Sequence, residues 1–349
     1  MLIGMKTVHN LFKYRMVLML AVAAAGNFIW LTAWIVHNPA FLGMDFAAYW
    51  RAAHQTAVQA YAPGQSVQFP YLPTMLMWIS PLALVPFWPA YLLFMSASVW
   101  AFALASRPHL SRPQILLAIA SPPIINGVSA GQCSVALAAA LLWACGARNR
   151  IAAGIVLGLI ASIKPQLVLM APALLLVRRD WPAFWAAGLT WATTIVGTLA
   201  VLGVGAWQAW LAFLPYYHSV LMRHDRLGMA IAPSFAAQYL HLPAMPFAIV
   251  GIGFGLWLIW TARGSTPLVQ CAVIACASLL SAPSAMVYDL APVIPFLTVE
   301  IWAASFVAAL AMSGGIAPIS LLLAGLRIHD VARDPPRIED DRIVGLATA

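Results

Sequence analysis

Of 349 residues, 63% are hydrophobic and only 8% charged, with a mean hydropathy of +0.88; this excludes a soluble domain, whose surface so few charges could not cover. The net charge of +8 comes from small basic clusters between apolar segments, a distribution that argues against a nucleic-acid partner and matches the positive-inside bias of a polytopic membrane protein. Cys133, Cys145, Cys271 and Cys276 fall in apolar runs without a CxxC pair, so they read as small buried hydrophobes, not as a disulfide or metal framework.

The chain opens with Lys6, Lys13 and Arg15 ahead of an apolar run from 16 to 36. That run is too long for a signal-peptide core, and "VHNPAF" lacks a small-residue cleavage site, so a retained membrane helix is predicted. A loop from 37 to about 74 carries Asp45, Arg51 and His54, and a second span from about 76 to 105 ends at Arg107 and Arg112. Two unusual units follow. Residues 113–147 lie between basic ends and are interrupted by "NGVSAGQCS"; residues 151–177 lie between Arg148/Arg150 and Arg178/Arg179 and are interrupted by "KPQ".

As one straight helix, residues 151–177 would be about 40 Å long and would leave Lys164, the only charge in the stretch, at the bilayer centre at a cost of about 3 kcal/mol or more. Pro165 disfavours helix at residue 164 and removes a backbone donor, so the chain is predicted to turn back at the lysine. Each half is then about 20 Å, short of the roughly 30 Å hydrocarbon core. The preceding unit follows the same logic, with Gly127 and Gly131 at the turn and Gln132 in the gap. Non-helical backbone at such depth persists only when buried in protein or lining a water-filled cavity, so two short hairpins imply a pocket in the outer leaflet.

Further spans are predicted at about 182–204, 244–262, 266–281 and 291–312, with a polar loop at 205–243 and a shorter one, "SAPSAMVYDLAP", around Asp289. Asp180 reads as a solvated flank, Glu300 as a span residue facing the bundle interior, and residues 327–349 as a polar flexible tail. With the N-terminus inside, cytoplasmic loops collect ten of the eighteen Lys/Arg residues, which sets the two long loops and both polar breaks outside. The predicted class is all-α: a polytopic transmembrane helical bundle of about ten spans over residues 1–326.

An ionisable residue within a membrane segment is a functional candidate, although Lys164 also suits snorkelling or pairing with a carboxylate as a packing device. Asp45, Asp225 and Asp289 share its side of the membrane. A recessed cation attracts an anionic headgroup, and a carboxylate beside it can take a proton from an attacking hydroxyl. That pairing suits transfer from a lipid phosphate.

The stretch "GMDFAAYWRAA", followed by "FPYLPTMLMWISPLALVP", resembles the first outer loop of glycosyltransferase family 87. The middle, from "GQCSVALAAALLWACGARNR" through "IASIKPQLVLM", is similar to its Gly-Gln, Ala-Gly-x-x-x-Gly and Lys-Pro-Gln pattern, and "SAPSAMVYDLAP" to its late Tyr-Asp element. The resemblance covers about residues 16–300; beyond, the apolar "GGIAPISLLLAGL" is shorter than the helices with which the family continues. It implies a GT-C-type membrane enzyme that moves a hexose, mannose above all, from a polyprenyl-phosphate donor to a lipid-linked or cell-envelope glycan acceptor outside the membrane, with membrane lipids as surroundings and no cofactor. It further implies Asp45 as the catalytic carboxylate and Lys164 as the group that neutralises the donor phosphate, with Gln132, Tyr288 and Asp289 lining the same pocket.

Tyr49 and Arg51 suit either contacts to the sugar or the interfacial anchoring common for these residue types. Arg223 lies with Asp225 and Arg226 in "HSVLMRHDRLG", where a local salt bridge is the default and an anionic acceptor the functional alternative. His54, His218, His224 and His241 lie in outer loops without the spacing of an HExxH metal helix, so no metal is expected. A transporter or flippase for an anionic or lipid-linked substrate also accommodates broken helices and a buried cation.

Overall fold

The computed structural model describes residues 39–65, 68–223, 240–282 and 284–297, together with positions 32, 36, 37, 325, 326 and 328–332. Nearly all of the predicted first span, most of the last one, Asp225, Arg226, His224, Glu300 and most of the tail lie outside the described residues. Within them, every regular element is helical.

The region 37–74 is not the plain loop expected. It folds into α1 (Met44–Ala53), which starts on Gly43 in the left-handed conformation (φ +71°), and a short 3-10 turn, Gln59–Tyr61. The span expected at 76–105 is also divided. α2 (Pro73–Ile79) passes into a 3-10 turn, Ser80–Leu84, before α3 (Phe87–Ser106) begins. Pro81 and Pro86 are the cause: each removes a helix donor, and Pro86 holds its predecessor Val85 extended (φ −125°, ψ 136°).

The next unit consists of α4 (Arg112–Ile119), α5 (Pro122–Ala130) and α6 (Ser134–Gly146). Its expected break stands at Gly131, which caps α5 in the left-handed conformation at φ +80°, with Gln132 and Cys133 forming the gap; Gly127, also expected at the turn, lies inside α5 instead. The second break, before Pro122–Pro123, again falls at proline. α7 (Arg150–Ile163) stops at Lys164 (φ −144°, ψ 76°), a 3-10 turn Pro165–Leu167 follows, and α8 (Ala171–Val177) leads out.

Both units double back. Arg150, at the start of α7, donates through Nε to Asp180 Oδ2 at 2.7 Å, just past the end of α8, while its Nη1 donates to the Ala144 and Ala147 carbonyls that close α6. Asp180 is thus a partnered anchor, not the solvated flank expected. In the other unit, a Cβ on Gly146 would lie 3.6 Å from His109 Nε2, so the end of α6 returns to the loop before α4.

A long helical run, α9 (Trp181–Arg223), is broken at Gly203 (φ 77°, ψ 168°), close to the predicted span end. Its second part occupies the expected loop and covers the segment between α1 and α2: Tyr216 accepts from Gly64 N at 3.0 Å, and Trp210 donates to the Pro70 carbonyl at 3.4 Å. α10 (Ala244–Thr261) and α11 (Pro267–Ser281) agree with prediction, whereas residues 291–297 form turns, not a helix start.

Length sorts these helices into two layers. Among the described residues three helices are long and apolar enough to cross a membrane, α3, α9 and α10, and only 28%, 6% and 22% of their apolar stretches is buried. Their exposed Trp, Leu and Val side chains face outward as a lipid-exposed surface would. The short α6, α7 and α11 are packed inside; α11 is buried at every position from Val269 to Ser281. At 13 and 14 residues, α6 and α7 reach only about 20 Å. Small residues let the backbones approach: a Cβ on Gly154 or Gly158 would meet the Ala183 or Ala187 carbonyl of α9, and one on Gly251 the Leu280 carbonyl of α11.

Candidate active site

The broken ends of the short inner helices bring buried polar and charged side chains together. Asp45 and Tyr49, four residues apart, share one face of α1. Gly43 N donates to the Ser129 carbonyl at 2.8 Å, tying the start of α1 to the end of α5. A Cβ on Gly131 would collide with Phe46 Cβ, so glycine there lets α1 lie directly against the α5–α6 break.

Gln132 is the hub. Its side-chain Nε2 donates to Asp45 Oδ2 at 2.7 Å, and its Oε1 accepts from Tyr49 at 2.9 Å, Tyr71 at 2.8 Å and Lys164 Nζ at 3.5 Å. The hydroxyls of Tyr49 and Tyr71 are themselves 2.8 Å apart. Backbone geometry fixes the hub, because Gln132 N donates to the Gly127 carbonyl at 2.7 Å.

Lys164 enters from the end of α7. It is 3% exposed and donates to Asp289 Oδ1 and, at 2.8 Å, to Ser134 Oγ; its ammonium lies 4.8 Å from the Tyr288 ring centre. Asp289, 1% exposed, accepts from Ser134 at 2.9 Å through Oδ1 and from Met286 N at 3.1 Å through Oδ2. A buried carboxylate and ammonium are tolerable only when paired and further hydrogen-bonded. All three lysine protons are therefore directed, two firmly and one over 3.5 Å.

Six of the residues singled out from sequence, Asp45, Tyr49, Gln132, Lys164, Tyr288 and Asp289, thus form one connected cluster. The lysine pairs with Asp289, and it reaches Asp45 through Gln132. Arg51 is exposed on α1 and is not among these contacts; Arg223 ends α9, and its side chain lies outside the described residues. Two members were missed. Tyr71 sat in "PYLP", read as a segment and not as a side chain, and Ser134 immediately follows the "GQC" break.

A family model described as Glycosyltransferase family 87 matches residues 69–287. That segment carries Tyr71, Gln132, Ser134 and Lys164; Asp45 and Tyr49 precede it, and Tyr288 and Asp289 follow directly. No curated protein and no solved structure matches the chain.

Proposed function

From the premise that this chain belongs to glycosyltransferase family 87 and is therefore a membrane glycosyltransferase with a sugar donor and an acceptor, we propose that it moves a hexose, mannose in the first instance, from a polyprenyl phosphate to a hydroxyl of a lipid-linked or cell-envelope acceptor. The observation that carries this reading is the bridge through Gln132, which sets one half-buried carboxylate, Asp45, beside a buried ammonium, Lys164.

In the proposed step, Asp45 takes the proton of the acceptor hydroxyl while that oxygen bonds to the anomeric carbon. The bond from that carbon to the phosphate oxygen breaks, and polyprenyl phosphate leaves with the electron pair. Lys164 stabilises the charge that develops on the leaving phosphate, which is where preorganised donors contribute most. Its longest hydrogen bond, 3.5 Å to Gln132 Oε1, is the one a phosphate oxygen would replace, while Asp289 and Ser134 keep the ammonium in place.

A lipid donor also suits the surroundings. A groove of about 650 Å³ runs between α2, α7 and α9, lined by Trp78, Ile155, Leu189 and Thr194 among others. It begins at Thr74, whose hydroxyl donates to the Ser162 carbonyl two residues before Lys164. The same reading has about ten spans, the N-terminus inside, and the polar cluster at outer-leaflet depth.

Purified protein given radiolabelled polyprenyl-phosphate-mannose and candidate lipid acceptors should transfer label, and Asp45→Asn or Lys164→Ala should lower kcat by about 100-fold or more. Transfer that survives both substitutions overturns the mechanism.

A further inference from the structure

We infer that Gln132 and Tyr71 are positioning residues for the proposed transfer: the tyrosine hydroxyls lock the Gln132 amide in the one orientation that holds the Asp45 carboxylate. This rests on the proposed function in taking Asp45 as the base.

A side-chain amide has two unlike ends, an oxygen that only accepts and an NH2 that only donates. On one side of Gln132 stands Asp45 Oδ2 at 2.7 Å, an ionised carboxylate oxygen that can only accept, which demands the NH2. On the other stands Lys164 Nζ at 3.5 Å, which can only donate and so demands the oxygen. Rotating the amide by half a turn would set oxygen against carboxylate and NH2 against ammonium. Opposite charges therefore fix the direction of the amide, but the lysine contact is long and gives direction more than strength.

The strength comes from the tyrosines, at 2.9 and 2.8 Å from Oε1. Their two protons serve four contacts, the weakest being Tyr49 to Cys133 Sγ at 3.6 Å; when Tyr49 donates to Tyr71, Tyr71 still donates to Oε1. Tyr49, Tyr71 and Gln132 are all buried, so bulk water does not compete for these bonds. Asp45 itself is only half-buried at the start of α1, and the Gln132 amide holds its Oδ2. Neither tyrosine reaches the carboxylate through any bond described above; each acts on it through the amide.

A carboxylate that swings loses rate, because misplacing a reacting group by about 1 Å costs on the order of 100-fold. Gln132→Leu should lower kcat about 30-fold and Tyr71→Phe, which leaves Tyr49 in place, about 5-fold, each with KM for the donor changed less than about 2-fold. Gln132→Glu is the sharper variant. It keeps an acceptor for the tyrosines and the lysine, but it donates to Asp45 only when protonated. The titratable groups facing this side chain are Asp45 and Tyr49 of α1, Tyr71, the adjacent Cys133, Lys164, and the Tyr288–Asp289 pair. The ratio of kcat for Gln132→Glu to kcat for Gln132→Leu, which reports the carboxyl pair that only the glutamate forms with Asp45, should rise several-fold as pH falls from about 8 to about 6.

A ratio that is flat with pH, or kcat values equal to wild type in Gln132→Leu and Tyr71→Phe, overturns the inference. A donor-independent measurement keeps it separate from the proposed function. Labelling of Asp45 by a water-soluble carbodiimide, read by peptide mass spectrometry, should rise several-fold in Gln132→Leu over wild type as the carboxyl loses its amide partner; equal labelling overturns the positioning role. Wild-type protein that transfers no sugar from polyprenyl-phosphate-mannose overturns the proposed function instead, and the labelling still decides the role of Gln132.

Discussion

Lys164 and Asp289 show how much a single residue pair decides in so apolar a chain. Taking one partner from a buried, hydrogen-bonded ion pair strands the other charge and costs about 3–5 kcal/mol, whereas replacing both by apolar groups of similar size can be nearly neutral. Lys164→Met and Asp289→Leu should therefore each lower the melting temperature in detergent strongly, and the double variant should recover most of the loss while remaining inactive. Additive single effects would mean that the pair does not carry its own compensation. The lysine itself was legible, since no other charge stands between Arg150 and Arg178. Its partner was legible only as one of three outer acids, because choosing Asp289 needs the packing of the turn Val287–Leu290 against α5. Tyr71 gave no comparable signal. An interfacial tyrosine beside prolines is common in membrane proteins, and only the fold, by bringing residues 71 and 132 together, gives its hydroxyl a role.

At the scale of elements, the sequence was most informative where chain direction must change and least where helices merely end. The Lys-Pro and Gly-Gln breaks stand where predicted, because proline geometry and a deep polar residue have few other solutions. The division of the second span at Pro81 and Pro86 was missed, as apolar content there hid the proline signal. So was α1, whose core-facing stripe of Phe46, Tyr49 and Ala52 is mixed with polar residues. Gly131 joins the two best-placed features. It sits at φ +80°, and any Cβ there would overlap Phe46. Gly131→Ala should shift α1 away from the hub, lower the melting temperature by several degrees and reduce transfer well beyond its effect on stability. Gly188→Ala, in a helical stretch where nothing lies within 4 Å, is the contrasting control: it should leave transfer unchanged and hold or slightly raise the melting temperature.

Across the whole molecule, the two reversals make a layered object with distinct ends. One end gathers His109, Gly146, Arg150 and Asp180, held by the 2.6 Å pair between Arg150 Nη2 and Asp180 Oδ2. The other gathers Asp45, Gln132 and Lys164, and α7 separates the two by 14 residues, about 21 Å of helix. Inner helices this short cannot cross a hydrocarbon core of roughly 30 Å, whereas α3, α9 and α10 are long enough to do so; in the proposed topology the polar cluster therefore sits in a recess below one membrane face. In the proposed orientation the basic loops at the first end lie in the cytoplasm. This orientation can be read directly by cysteine labelling, with wild type as background, since Cys133, Cys271 and Cys276 are buried and Cys145 is partly so. Exposed Ala62, in the turn after Gln59–Tyr61, belongs to the outer end, and exposed Arg148, beside the clasp, to the inner one. Ala62→Cys should react with a membrane-impermeant maleimide in intact cells, and Arg148→Cys only after permeabilisation. Equal labelling of both in intact cells would place the two ends on the same side, contradict the doubled-back helices, and remove the outward-facing pocket from which the proposed chemistry follows.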